Sequence, residues 1–200
     1  MQSLRTIKVV TLGDVSVGKT SLIKRYVDNE FYQEEQSTIG SVYMEKIINY
    51  GDSLYKLQIY DTAGQERFQS IAKLYYQKAD VALLLYDITN QDTFDTLKNW
   101  NAEVMKNAPS KVIRIVVGNK IDLLEKEAID QETAEKYAKN VNALFSLVSA
   151  KTNAGVRTLF EKICQEYSLR FPIVDPSVKS SHISLNNNVN GDEKSSKCAC

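Results

Sequence analysis

At 200 residues, 43% hydrophobic and 25% charged, the chain has the composition of one globular domain with room for a tail. Its 25 basic residues balance 25 acidic ones, so no net field draws it to a nucleic-acid polymer or an acidic membrane. Three cysteines give no disulfide framework and point to a reducing compartment, and the single histidine, His182, excludes histidine triads and multi-histidine metal sites.

The opening MQSLRTIKVV lacks a long apolar stretch, so no signal peptide is expected. Glutamine at residue 2 removes the acceptor for N-myristoylation. The longest apolar runs, such as residues 81–86, fall far short of a bilayer span.

TIKVVTLG is a strand-length apolar run ending at Gly13, and a helix follows with Leu22, Ile23, Tyr26 and Val27 on one face. VYMEKIINY and LYKLQIYD flank Gly51, Asp52 and Ser53, a hairpin signal. VALLLYD and VIRIVVGN read as buried parallel strands, and the helix between them carries Phe94, Leu97, Trp100 and Val104. A helix around Gln131–Asn140 precedes the strand LFSLVS. The last helix aligns Val156, Leu159, Phe160, Ile163, Cys164 and Tyr167 on one stripe, which makes Cys164 a packing residue. Six strands and five helices in alternation predict an α/β fold, a six-stranded mostly parallel sheet with one antiparallel edge strand and helices on both faces. After Phe171 the pattern stops. Residues 172–200 hold two prolines, no Phe, Tyr or Trp, and many Ser and Asn, so residues 1–171 read as the domain and 172–200 as a flexible tail.

The first strand runs into GDVSVGKT, residues 13–20, which fits the phosphate-binding pattern G-x-x-x-x-G-K-[ST]. Gly13 and Gly18 let the backbone turn and approach an anion, and the amides of Val15, Ser16, Val17, Gly18 and Lys19, with the helix N-terminus, can surround phosphate oxygens. Lys19 is placed to reach the β- and γ-phosphates, Thr20 to ligate Mg²⁺, and Ser21 sits beside it. This loop implies a nucleoside triphosphate without separating ATP from GTP, or a kinase from a switch.

Residues 118–122, GNKID, and residues 149–151, SAK, address the base. The Asp122 carboxylate can accept from guanine N1–H and the N2 amine, donors that adenine lacks, so a buried Asp122 facing adenine would go unpaired. Asn119 can tie loops together, the Ala150 amide can donate to guanine O6, and the stems of Lys120 and Lys151 can cover the ring faces, with Ser149 opening the second loop. In YDTAGQE, Asp61 is placed to hold Mg²⁺ through water, the Gly64 amide to sense a γ-phosphate, and Gln65 to orient an attacking water. Upstream, Thr38 in STIG is a second candidate Mg²⁺ hydroxyl, and Phe31 a brace for the base edge.

These stretches, in this order, resemble the Ras-like small GTPases over about residues 5–171. Within them IGSVY, YDTAGQERF, LYY and the Cys-x-Cys ending resemble the Rab family, and YDITNQDTF and GNKIDL its endosomal members. The resemblance implies a GTP/GDP-controlled membrane switch for vesicle trafficking. Switch I (about residues 31–43) and switch II (about 61–77) would order on GTP and Mg²⁺ and relax after hydrolysis. It implies slow hydrolysis by Gln65 and Lys19, completed by an activating protein. Other implied partners are an exchange factor, GTP-dependent effectors, the prenylation escort protein and the GDP-dissociation inhibitor. Tyr43, Tyr60 and Tyr75 match an aromatic effector triad in which Tyr60 stands where tryptophan is usual. Val15 stands where many relatives carry a small residue, and weak stimulation by activating proteins is expected. The ending SSKCAC implies geranylgeranylation of Cys198 and Cys200 and residence on the cytoplasmic face of an endomembrane, with a cytosolic pool. Two lipids fit the tail's charge, because Lys179, Lys194 and Lys197 are balanced by Asp175, Asp192 and Glu193 and leave no polybasic anchor.

Overall fold

A computed structural model describes residues 4–65 and 69–172. His182, Cys198, Cys200 and the charged tail residues lie outside them, as do residues 66–68 of the second switch segment.

The elements run β1 (Leu4–Leu12), α1 (Lys19–Asp28), β2 (Ser41–Tyr50), β3 (Ser53–Thr62), α2 (Gln69–Tyr76), β4 (Val81–Asp87) and α3 (Gln91–Asn107), then β5 (Ile113–Asn119), a 3-10 segment (Ile121–Lys126), α4 (Gln131–Asn140), β6 (Leu144–Leu147) and α5 (Val156–Arg170). The strands form one sheet in the order β2-β3-β1-β4-β5-β6. Only the β2–β3 pair is antiparallel, so the expected antiparallel strand is β2, at the edge. Tyr50 pairs directly with Ser53. The hairpin turn is therefore the two residues Gly51 and Asp52, and Ser53, expected in the turn, starts β3. Gly51 at φ +58° supplies the left-handed conformation that a tight hairpin turn demands.

Alternation along β3 sorts the sheet faces. Tyr55, Leu57 and Ile59 join Ile7, Val9, Leu83, Leu85, Ile115 and Val117 in a core closed by Leu22 and Ile23 of α1 and the α5 stripe Val156, Leu159, Phe160, Ile163 and Cys164. On the other face Val10, Leu12, Leu84 and Val116 pack under Ala72 and Tyr76 of α2, Phe94, Leu97, Trp100 and Val104 of α3, and Ala134 and Ala138 of α4. Every residue of β4 is buried, because this central strand is covered on both faces. The expected helix stripes are thus the ones that seal the sheet. At the carboxyl ends of β1, β3 and β5 the chain leaves the sheet on one edge. In open α/β sheets that edge is where ligands bind.

Candidate functional site

A cavity of about 490 Å³ opens at that edge. The loop after β1 forms its floor. Gly18 takes φ +90°, and a Cβ there would sit 2.4 Å from Nδ2 of Asn119. Gly18 is also the N-cap of α1 and offers no side chain to the first-turn amides, whereas Asn90 and Asp130 cap α3 and α4 with their side chains. The first turn of α1 is therefore left to an anion, which its dipole favours. Ser16 stands at φ +61°, a left-handed conformation that a non-glycine residue holds at a cost of about 1–2 kcal/mol.

Lys19 crosses beneath this loop. It is 6% exposed, and its Nζ donates to the carbonyls of Gly13 (3.0 Å) and Asp14 (2.7 Å). Burial pulls its ammonium down from 10.5 to about 8, against the opposing pull of Asp61 and Asp14. A Cβ on Gly64 would lie 2.6 Å from Lys19 Nζ and 2.5 Å from the Asp14 carbonyl, so this residue of the second switch segment touches the phosphate loop only because it is glycine.

Beside Lys19, Thr20 Oγ1 donates to Asp61 Oδ2 (2.6 Å) and lies 2.8 Å from Thr38 Oγ1. Asp61 is 1% exposed, and its other oxygen accepts from Thr11 Oγ1 (2.9 Å), which in turn accepts from the Thr62 amide (3.2 Å). Burial raises the Asp61 carboxyl above the usual range, and the nearby Glu35 charge pushes the same way against Thr20, Thr11 and Lys19. Two hydroxyls and a carboxylate, with no thiol or imidazole, form a hard oxygen set that fits Mg²⁺.

At the other end, Asn119 clasps two loops. Its Nδ2 donates to the Val17 carbonyl (2.9 Å), and its Oδ1 accepts from the Ala150 amide (3.2 Å). The amide assigned to guanine O6 is therefore already engaged by Asn119, and a base oxygen would share or replace that long bond. Ser149 Oγ donates to Asp122 Oδ1 (2.6 Å) and accepts from the Thr152 amide (3.0 Å). Asp122 keeps its second oxygen facing Lys151 Nζ at 3.9 Å. Lys120 Nζ pairs with Asp87 at 2.6 Å, which fixes its stem over the cavity.

Most expected site residues line the cavity: Val15, Ser16, Gly18, Lys19, Thr20, Ser21, Phe31, Thr38, Gly64, Gln65, Asn119, Lys120, Asp122, Ala150 and Lys151. Gly13, Val17, Ser149 and Asp61 stand behind the wall. Val17, Ser149 and Asp61 are buried and hold the residues that line it. Tyr32, Glu35 and Leu123 also line the cavity without having been singled out in sequence. No motif marks them, because loop residues become neighbours of the cavity only through the path of the chain. Thr11 carried a fainter signal, a hydroxyl within the apolar end of β1.

Outside the cavity, Tyr43, Tyr60 and Tyr75 do converge. Ring centroids lie 5.4 Å apart for Tyr43 and Tyr60 and 5.0 Å for Tyr60 and Tyr75. Exposed Val42 and Leu74 lie on the same β2 and α2 elements. The Tyr43 hydroxyl donates to Glu45 (2.6 Å), which pairs with Lys56 (2.8 Å).

The chain matches the Ras family over residues 8–168. It is 39% identical to Ras-related protein Rab-22A of Homo sapiens over 178 residues, covering 89% of this chain and 90% of that protein. It is 39% identical to Ras-related protein Rab-31 of Rattus norvegicus over 176 residues, 88% of each. Ras-related protein RabJ of Dictyostelium discoideum is 46% identical over 156 residues, 78% of this chain and 61% of that one.

Proposed function

The chain belongs to the Rab family of Ras-like small GTPases, and from that premise we propose how its own residues run the switch. It is a GTPase that alternates between GTP- and GDP-bound states, as its family does, and Rab-family members work with exchange factors, activating proteins, effectors and GDP-dissociation inhibitors. The observation that carries the residue assignment is the convergence of Lys19, Thr20, Thr38, Gly64 and Gln65 at one end of a cavity whose other end holds Asp122.

In this reading Asp122 and the Asn119 clasp select guanine, with Phe31 and the stems of Lys120 and Lys151 enclosing the base. Lys19 and the α1 amides hold the β- and γ-phosphates and offset charge as it moves onto the leaving oxygen. Thr20 and Thr38, with Asp61 behind them, would hold Mg²⁺, which would supply further neutralisation of phosphate charge. Gln65 orients the water whose oxygen bonds to the γ-phosphorus as the bond to the β-phosphate oxygen breaks, giving GDP and phosphate. Among the described residues the cations lining the cavity are lysines, and the arginine for the transition state is expected from an activating protein. Val15, 37% exposed at the cavity mouth, crowds the approach of that arginine.

Single-turnover hydrolysis tests this. GTP is expected to be bound and slowly hydrolysed in preference to ATP, and ATP turnover at an equal or higher rate would sink it. In the same assay with an activating protein, Val15→Gly is expected to raise stimulated turnover about tenfold or more, a barrier change of about 1.4 kcal/mol. Unchanged stimulation removes the crowding argument.

Two further parts rest on the family and the sequence. Cys198 and Cys200 each carry a geranylgeranyl group and hold the protein on the cytoplasmic face of an endosomal membrane, with a pool in the cytosol bound to the inhibitor. No helix among the described residues is long and apolar enough to cross a membrane, and a doubly lipidated tail supplies the two signals stable anchoring takes. Mass spectrometry of the membrane-bound protein should find both cysteines modified, and an unmodified tail there contradicts it. The tyrosine surface is read as the effector site.

A further inference from the structure

We propose that Lys24 and Glu35 form a latch that presses the segment before Thr38 onto α1 and sets how fast a bound guanine nucleotide escapes. The inference rests on the guanine-nucleotide reading of the cavity and concerns one wall of it.

That wall is residues 30–40, which adopt neither helix nor strand. Phe31, Tyr32, Glu35 and Thr38 all face the cavity from it, so a ligand leaving through the mouth must lift it. Side-chain contacts hold it down. Thr20 and Lys24 are four residues apart on α1 and share a face. Thr38 and Glu35, three apart on the wall, meet them in order, Thr38 Oγ1 at 2.8 Å from Thr20 and Glu35 Oε1 at 2.7 Å from Lys24 Nζ. The wall is therefore laid along one helix face by two rungs, and the charged one lies between Thr38 and the base end. The Lys24 ammonium also stands 5.3 Å from the Tyr32 ring centre, and the Tyr32 hydroxyl donates to Glu30 (2.7 Å).

The pair has a second role. Glu35 brings a carboxylate to a cavity that also holds phosphate-binding groups. Its Oε2 is buried with no hydrogen-bond partner among the described residues. Lys24 is the counter-charge that makes this tolerable. Without it Glu35 faces the phosphates unneutralised, and lifting the wall relieves the repulsion. The side chains of Lys24 and Glu35 are 32% and 21% exposed, so solvent and salt reach the pair and the latch is of moderate strength.

Release of a fluorescent GDP from the full-length protein, chased with excess GDP in low salt, tests it. Lys24→Gln is expected to release about two- to fivefold faster than wild type, the range an ion pair of this exposure supports. In a Glu35→Gln background the same change is expected to have no effect, because its partner is gone. Lys24→Arg keeps the charge and should stay slower than Lys24→Gln. High salt should close the gap between wild type and Lys24→Gln. Equal release by wild type and Lys24→Gln overturns the latch, as does an equal acceleration with and without Glu35. A wild type that retains no labelled GDP overturns the nucleotide reading along with the latch, whereas retention with no response to Lys24→Gln overturns the latch alone.

Discussion

The two ends of the cavity are built on opposite principles. At the base end, polar groups satisfy one another: Asn119 bonds Val17 and Ala150, Ser149 bonds Asp122, and Lys120 bonds Asp87. At the phosphate end, the protein's own groups leave charge and strain. Lys19 is buried against two carbonyls with its proton weakened, Ser16 is held left-handed, and on the wall toward the base Glu35 keeps a buried oxygen with no partner among the described residues. One end is a fixed template anchored to β5 and the loop after β6. The other gains most from a triphosphate, whose anionic oxygens match Lys19 and the α1 amides. A switch needs this division, since only the end that senses the γ-phosphate has to respond to its loss.

Breaking the template should have the largest effect. Asp122→Ala removes a carboxylate that, in the proposed reading, accepts two hydrogen bonds from guanine, each worth about 1.5–3 kcal/mol for a charged acceptor. GTP affinity is expected to fall roughly 10²–10⁴-fold in equilibrium titration. A loss under about tenfold would mean that the base end does not read guanine through this residue.

The phosphate end is probed by Lys19→Met in nucleotide-stripped protein. The folded Lys19 ammonium lies at about 8, below its ordinary 10.5. Between those values the unfolded chain keeps the proton and the folded one releases it, so stability rises with pH through that window. The stability that Lys19 supplies is complete above 10.5 and is lost as pH falls through about 8. The displacement corresponds to about 3 kcal/mol. Relative to Lys19→Met, wild type should therefore gain about that much in urea unfolding between pH 7 and pH 11. Parallel profiles would show that burial does not strain the ammonium.

Tyr60→Ala lies outside both ends and should have the smallest effect on nucleotide. Retention of GDP is expected within twofold of wild type, while capture of GTP-dependent partners drops sharply. Tyr60 is only partly buried, and its ring joins those of Tyr43 and Tyr75. Undiminished partner capture would remove this face from the effector site.

The short motifs were legible because their chemistry needs particular residues at fixed spacing. GDVSVGKT and SAK follow strands, GNKID and DTAGQ start within the last residues of theirs, and each brings residues to the cavity. What escaped was of two kinds. Ser149 and Val17, expected among the nucleotide-binding residues, stand behind the cavity lining and hold Asp122 and Asn119 in it, contacts that no local spacing marks. Glu35 and Lys24 carried no motif at all, because a pair eleven residues apart meets only when the loop folds back on its helix.

Sequence alone determined the alternation of strands and helices and the apolar stripes that cover both sheet faces, and it nominated the candidate phosphate, base and metal groups, since periodicity and donor chemistry are local properties. Tertiary structure decided the rest. It drew Thr38 to within 2.8 Å of Thr20 and gave the Ala150 amide to Asn119. It also buried Lys19 far enough to weaken its proton. Each of these depends on how residues distant along the chain share one desolvated space, and that follows from packing rather than from spacing.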